Sequence, residues 1–336
     1  MAETMAVLGG GSWGIAVAGL LHANGHRVRI WEFNPADCDL LIAQRTHPQK
    51  LPMAHLSDDI MITNILAEAV EKADLIILAV PAQKVRLVCG GLGDLGVNHI
   101  PMVNLAKGIE IDTLKRMSEV IAEILPGSEK AGMATISGPS HAEEVARDMP
   151  TSVVAASLRA DFAERLQHLF SNETFRVYRS TDLIGVELGG SLKNVIAIAA
   201  GIIQGLGFGD NTLGALITRG QAEIGRVGRR LGADSLTFAG LSGIGDLITT
   251  CVSRHSRNRL VGERIGRGET LAEILDSMVM VAEGVDTCRS SHALAGKYGV
   301  EMPIADEVYK VLFENKAPAE AVAGLMTRPL KKEVWS

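Results

Sequence analysis

Met5-Ala6-Val7-Leu8-Gly9-Gly10-Gly11-Ser12-Trp13-Gly14 is a short apolar run that enters a G-x-G-x-x-G turn at once. In a chain with 36 glycines such a turn arises easily by chance; its surroundings decide the reading. It follows a strand candidate, opens a helix candidate at Trp13–Asn24, and precedes a second strand candidate, Arg27–Trp31, that ends at Glu32. That context is the fingerprint of a dinucleotide-binding βαβ unit. Gly9 permits the tight turn, Gly11 lets a pyrophosphate approach the backbone, and Gly14 lets helix and strand pack closely. The free amides and positive end of the Trp13–Asn24 helix then hold the diphosphate. The competing reading is a plain strand-turn-helix corner.

Outward from this unit, strand candidates recur at Leu75–Val80, Met102–Leu105, Met133–Ser137 and Ser152–Ala156. Helix candidates lie among them at Lys84–Gly90, Lys115–Leu125 and Asp161–Phe170. The alternation predicts a parallel, doubly wound α/β sheet of the Rossmann type. After about Tyr178 only helices are read: Leu183–Gly205, Gly214–Leu231, Arg257–Gly266, Leu271–Met278, Thr287–Tyr298 and Ile304–Phe313. The expected organisation is a dinucleotide-binding domain over 1–182 and an all-helical substrate and catalytic domain over 183–336.

Composition sets outer limits. The chain has 336 residues, 47% of them hydrophobic and 21% charged, which suits a buried globular core and not disorder. A net charge of −6 argues against a general nucleic-acid binder. Cys38, Cys89, Cys251 and Cys288 stand far apart, and His22, His26, His141, His255 and His292 show no ligand spacing, so no metal site or disulfide framework is read. The longest apolar stretch, Val195–Ile203, is far short of a membrane span, and the N-terminus shows no signal peptide, so a cytoplasmic protein without a membrane anchor is expected.

Two places bear on the cofactor. Strand two ends in Ile30-Trp31-Glu32-Phe33. A carboxylate there accepts a ribose hydroxyl and repels a 2′-phosphate, and Phe33 can cover an adenine, which leans toward NAD over NADP. The alternative is a solvated Glu32 with Arg29 serving a phosphate. Pro81, closing the Leu75 strand, lies at the sheet edge where a cofactor would rest, although ordinary turn punctuation explains it as well.

Three segments insert polar groups into apolar surroundings: Asn104–Gly108, Gly189–Ala197 and Gly243–Thr250. A lysine buried near a second cation loses basicity and can serve as a base near neutral pH. Lys193 is the candidate, oriented by Asp246 and Asn194, against the alternative of a lysine snorkelling at a helix end. Ser253–Arg259 is a basic patch in which a serine hydroxyl, a guanidinium and helix amides can converge on a phosphate, or else a solvated loop. His255 beside it is a further candidate.

Together these motifs resemble the soluble glycerol-3-phosphate dehydrogenase family, bacterial type. The similarity runs through Gly9–Gly14, Asn104–Gly108, Ile136–Ser140, Gly189–Val195, Gly243–Thr250, Ser256–Arg259, Val281–Gly284 and Met302–Ile304. It implies Lys193 as proton acceptor, with Thr250 beside Asp246. It implies substrate contacts at Lys107, Gly138, Ser140, Asp246, Ser256, Arg257 and Asn258. It implies cofactor contacts at Ser12, Trp13, Phe33, Lys107, Ala142, Arg257, Val281 and Glu283. The family supplies glycerol 3-phosphate for phospholipid synthesis and is commonly dimeric. Phe33 departs from the basic residue many bacterial members carry, which puts their NADPH preference in doubt here.

The expected mechanism is direct hydride transfer between nicotinamide C4 and substrate C2. In it Lys193 exchanges the proton, Lys107 polarises the substrate oxygen, and Arg257 and Asn258 grip the phosphate. Two alternatives are a reductase of a carboxylate substrate, such as a β-hydroxyacid or ketopantoate, and a non-catalytic NAD(H) sensor.

Overall fold

The opening apolar run becomes β1 (Thr4–Leu8), buried along its whole length, as a strand must be when helices cover both faces of its sheet. The structure, a computed structural model, describes residues 2–330, 332 and 333; the expected helical domain's last residues, 334–336, lie outside them. After β1 come α1 (Ser12–Ala23), β2 (Arg27–Trp31), α2 (Pro35–Gln44), β3 (Met61–Thr63), α3 (Leu66–Val70), β4 (Leu75–Leu78) and α4 (Val85–Asp94). Next are β5 (Met102–Asn104), α5 (Met117–Ile124), α6 (Ser128–Ala131), β6 (Met133–Ser137), α7 (Ala142–Val145), β7 (Thr151–Ala156), α8 (Ala160–Phe170) and β8 (Phe175–Ser180).

The strands form one eight-stranded sheet in the order β3-β2-β1-β4-β5-β6-β7-β8. Its first six strands follow the 3-2-1-4-5-6 dinucleotide-binding order. Side chains alternate across it: Met5 and Val7 pack with Ile15, Leu21 and Phe162 on one face, Ala6 and Leu8 with Val85 and Val120 on the other. The expected all-parallel sheet is corrected at one pair, because β7 runs antiparallel to β6, while β8 returns parallel to β7. The short helices α3, α6 and α7 escaped the periodicity, as did Asp246–Val252 and Pro318–Met326 in the helical half, and so did three other elements. β3 spans only Met61–Thr63, β8 alternates Phe175 and Val177 inward against exposed Arg176 and Tyr178, and α2 begins at a proline capped by the Asn34 side chain.

The remaining chain is helical: α9 (Leu183–Gly205), α10 (Asp210–Arg230), α11 (Asp246–Val252), α12 (Arg257–Gly266), α13 (Leu271–Asp276), α14 (Glu283–Tyr298), α15 (Pro303–Phe313) and α16 (Pro318–Met326). Asp246, expected between helices, begins α11. Around α9 pack α10, α11, α12 and α14. By length and composition α9 is, among the described residues, the one helix able to cross a bilayer, a correction to the count based on Val195–Ile203 alone. Its apolar window lies wholly inside the protein, however, and it carries Glu187, Lys193 and Asn194, each engaged by a partner. It is the core helix of this half. Gly262 of α12 faces the Ile198 backbone at a separation no side chain would allow, which lets the two helices approach closely.

Candidate active site

The carboxyl ends of β1, β4 and β5 deliver the Gly9, Pro81 and Lys107 turns to one edge of the sheet, and the turn after β6 follows them. Ligands of open α/β sheets bind beyond that edge. There a cavity of about 640 Å³ opens between the sheet and the helices, within the range of small-molecule and cofactor sites. It is lined by the expected Gly9, Gly11, Ser12, Trp13, Phe33, Pro81, Lys107, Ser140, Ala142, Lys193, Asn194, Asp246, Thr250, Ser256, Arg257, Asn258, Val281 and Glu283. Of the expected residues, Gly14 and Gly138 lie just behind the wall. A side chain at Gly14 would strike the Gly9 carbonyl, and the Gly138 carbonyl accepts a hydrogen bond from Lys107 Nζ at 3.0 Å.

At the nucleotide end, Gly9 has φ +121 and would clash with the Ala79 backbone if it bore a side chain. A Cβ on Gly11 would meet nothing within 4 Å. No side chain caps α1, so its first amides remain free for an anion. These features fit a bound dinucleotide. Glu32 is buried; its Oε1 accepts the Asn34 amide at 3.0 Å, and its Oε2 lies 3.5 Å from Lys50 Nζ. Lys50 also bonds Asp37 at 2.8 Å. Burial works against ionisation of Asp37, yet the Lys50 ammonium holds its carboxyl below the usual range. Lys50 went unnoticed in the sequence because it sits in an irregular stretch without periodicity or motif. Arg29, the alternative phosphate ligand, instead donates to the Glu68 and Glu71 carbonyls. Phe33 is 71% exposed at the cavity rim, edge-on to Trp31.

At the other end, Lys193 is buried on α9, with Nζ 2.7 Å from Asp246 Oδ1 and 2.5 Å from Thr250 Oγ1. Thr250 in turn donates to the Asp246 carbonyl at 2.6 Å, one turn back along α11. Lys107 Nζ binds the second Asp246 oxygen at 2.7 Å. One carboxylate is therefore shared by two ammonium groups. Burial lowers the Lys193 pKa to about 8; the Asp246 charge opposes that shift and the Lys107 charge adds to it. Burial resists ionisation of Asp246, but the two lysines hold its pKa below the usual carboxylate range. Gly189 and Gly190 make this convergence possible. A side chain on Gly189 would collide with the Ser242 carbonyl, one on Gly190 with the Ser137 hydroxyl. Asn194 does not orient Lys193 as expected. Its amide donates to the Lys107 carbonyl at 3.3 Å and steadies that turn.

Around the third side, Ser256 caps α12, accepting from the Arg259 amide at 3.2 Å. Arg257 donates to the Val281 carbonyl at 2.9 Å and stays exposed at the mouth, and Asn258 Oδ1 accepts the Gly284 amide at 2.9 Å. Glu283 Oε1 accepts the Ala82 amide at 2.9 Å, joining α14 to the turn after β4. Burial raises the Glu283 pKa, and its hydrogen bonds and the nearby cations oppose that shift.

Comparison with known proteins identifies this arrangement. Residues 4–163 match the family model described as NAD-dependent glycerol-3-phosphate dehydrogenase N-terminus, and residues 182–323 match the C-terminus of the same family. The chain belongs to the NAD-dependent glycerol-3-phosphate dehydrogenase family. It is 50% identical over 331 residues to glycerol-3-phosphate dehydrogenase [NAD(P)+] of Chlorobium limicola, covering 98% of this chain and 99% of that one. It is 49% identical to the enzyme of the same name from Citrifermentans bemidjiense, covering 99% of both. The crystal structure of glycerol-3-phosphate dehydrogenase from Coxiella burnetii superposes with a TM-score of 0.92 at 36% identity, covering 97% of this chain and 99% of that one. The chain is thus an NAD(P)-dependent oxidoreductase of the glycerol 3-phosphate/dihydroxyacetone phosphate pair, with a Rossmann-type α/β half followed by a helical half.

Proposed function

We propose that Lys193 is the proton acceptor of glycerol 3-phosphate oxidation and the proton donor of the reverse reduction. The observation that carries this is the Lys193–Asp246–Lys107 group in the cavity wall, where an ammonium withdrawn from water gives up its proton near pH 8. A nicotinamide dinucleotide held at the glycine turn would supply the hydride chemistry. Everything else falls to the protein. Asp246 and Thr250 aim the Lys193 amine, and Lys107 polarises the substrate oxygen. Ser256, Arg257 and Asn258, at the start of α12, bind the phosphate, while Gly138 and Ser140 border the triose. Gly9, Gly11, Ser12, Trp13, Gly14, Phe33, Pro81, Ala142, Val281 and Glu283 form the cofactor's seat. NAD is the preferred coenzyme, because Glu32 lines the nucleotide end of the cavity and the one cation beside it, Lys50, is already paired with Asp37.

In this reading residues 1–182 are the dinucleotide-binding half, which also lends Lys107, Gly138 and Ser140 to the substrate, and 183–336 are the substrate and catalytic half, which also lends Val281 and Glu283 to the cofactor. A cytoplasmic homodimer supplies glycerol 3-phosphate for glycerophospholipid synthesis. The test is Lys193→Ala assayed in both directions. Removal of an essential acid/base lowers kcat by about 10²–10⁴-fold while leaving dinucleotide binding intact. Turnover equal to wild type would reject Lys193 in this role.

A further inference from the structure

His141 follows Ser140 on the turn between β6 and α7, and its ring faces the cavity beside the lysine pair. Its Nε2 is buried and has no hydrogen-bond partner among the described residues. A buried imidazole nitrogen left unpaired costs free energy comparable to a lost hydrogen bond, and such an atom on a cavity wall calls for a ligand. The ring stands 5.9 Å, centroid to centroid, from that of His255, the residue before the Ser256 cap. His141 therefore lies within the substrate end of the cavity and away from the glycine turn.

We infer that His141 Nε2 hydrogen-bonds the free hydroxyl of the bound triose phosphate. This rests on the reading of the site given above. In that reading a triose phosphate presents three polar groups to the wall. The oxygen on the reacting carbon meets Lys193 and Lys107, and the phosphate meets Arg257 and the start of α12. The terminal hydroxyl is left, and half-buried His141 brings an unpartnered polar atom to a residue of the cavity lining, whereas the other such atom nearby, the Ser137 hydroxyl, lies against Gly190 and outside that lining.

The electrostatics agree with an uncharged partner. Burial, reinforced by the Lys193 and Lys107 charges, lowers the His141 pKa to about 4, so the ring is neutral at physiological pH. A neutral imidazole carries one donor and one acceptor nitrogen and can serve a hydroxyl in either sense. A phosphate dianion at the same spot would draw the ring toward its charged form, against the two lysines.

The experiment pairs His141→Phe with a substrate that lacks the hydroxyl. Wild type and variant are compared for the KM of dihydroxyacetone phosphate and for the Ki of hydroxyacetone phosphate, which keeps the ketone and phosphate but ends in a methyl group. The expected result is a KM raised about tenfold in the variant, with a Ki changed less than about twofold and an unchanged KM for NADH. His141→Gln, which sets an amide near the position of Nε2, restores most of the loss. An equal loss on both compounds, or no loss on either, overturns the inference. Should phenylalanine disturb the NADH KM as well, the glutamine variant decides: recovery toward wild type upholds the contact, and no recovery rejects it. A wild-type protein inactive on dihydroxyacetone phosphate would instead reject the underlying reading of the site.

Discussion

Two buried carboxylates engage α9, and they use burial in opposite ways. Glu187, on α9 itself, is 5% exposed and accepts from Arg116 Nη1 at 2.7 Å, from the Ser118 amide at 2.9 Å and hydroxyl at 2.6 Å, and from Thr135 Oγ1 at 3.1 Å. Asp246, 2% exposed, accepts from Lys193 and Lys107, each at 2.7 Å. Both are fully partnered, but their cations differ. A guanidinium keeps its proton in a protein interior, whereas an ammonium deprived of water gives it up. Glu187 thus fastens the helical half to β6 and α5 through a fixed charge pair. Asp246 holds a pair that can change by one proton, and it does so on a cavity wall. Burial of charge alone marks neither function; an exchangeable proton beside open volume does.

The sharpest way to break this contrast is to give Asp246 the kind of partner Glu187 has. Lys193→Arg retains the charge and the ion pair but cannot lose a proton, so kcat in both directions should fall about 10³-fold while the protein stays folded. The pH profile of wild type supplies the control. Oxidation needs the neutral amine, so its rate should climb about tenfold per pH unit below pH 8 and level off above it. Reduction needs the ammonium, so it should be level below pH 8 and decline above. A profile flat from pH 6 to 9 in both directions, with chemistry rate-limiting, would remove Lys193 from the proton transfer.

Glu187→Gln tests the other member. It leaves Arg116 only the more exposed Glu119 as a carboxylate partner, 3.2 Å away, and should cost about 2 kcal/mol in unfolding free energy. The kcat of the folded variant should stay within about threefold of wild type. Denaturant melts and kinetics on the same preparation check both halves. A variant that keeps its stability but loses turnover would show that the fixed pair belongs to the chemistry after all.

The two clusters also differ in how far the sequence revealed them. Lys193 and Asp246 stood out because each interrupts an apolar or glycine-rich run, and a charge there demands an explanation. The α9 and α12 limits were legible because each helical run begins just after a capping side chain, Asp182 for α9 and Ser256 for α12. Glu187 lies in the same helix as Lys193, yet its partners Arg116, Ser118 and Thr135 come from 52 to 71 residues earlier, and no local pattern announces such a meeting. The β7 reversal was hidden for a related reason. Strand direction is set by how the connection crosses the sheet, and Thr151–Ala156 reads the same either way. His141 adjoined a quoted segment but looked like any packing residue until its orphaned nitrogen was seen.

Lys50 forms a third carboxylate–cation cluster and extends the comparison to the far end of the cavity. Its ammonium sits 2.8 Å from Asp37 and 3.5 Å from Glu32, and the residue lines the nucleotide end of the cavity. Like the Asp246 group it borders the cavity, but at the nucleotide end, away from Lys193 and Lys107. Its effect should therefore fall on binding and selectivity and leave the chemical step alone. With Lys50 present, one cation partly offsets the Glu32 and Asp37 carboxylates at that end of the cavity. Lys50→Ala removes that offset, so kcat/KM for NADPH should fall about tenfold while that for NADH changes less than about threefold. Glu32→Gln should move the ratio the other way. The NADPH penalty of Lys50→Ala should also shrink as salt is added, because the region is partly solvated. Equal losses for the two coenzymes would mean that Lys50 serves the fold of the Arg45–Ile60 stretch and has no part in recognising the ribose.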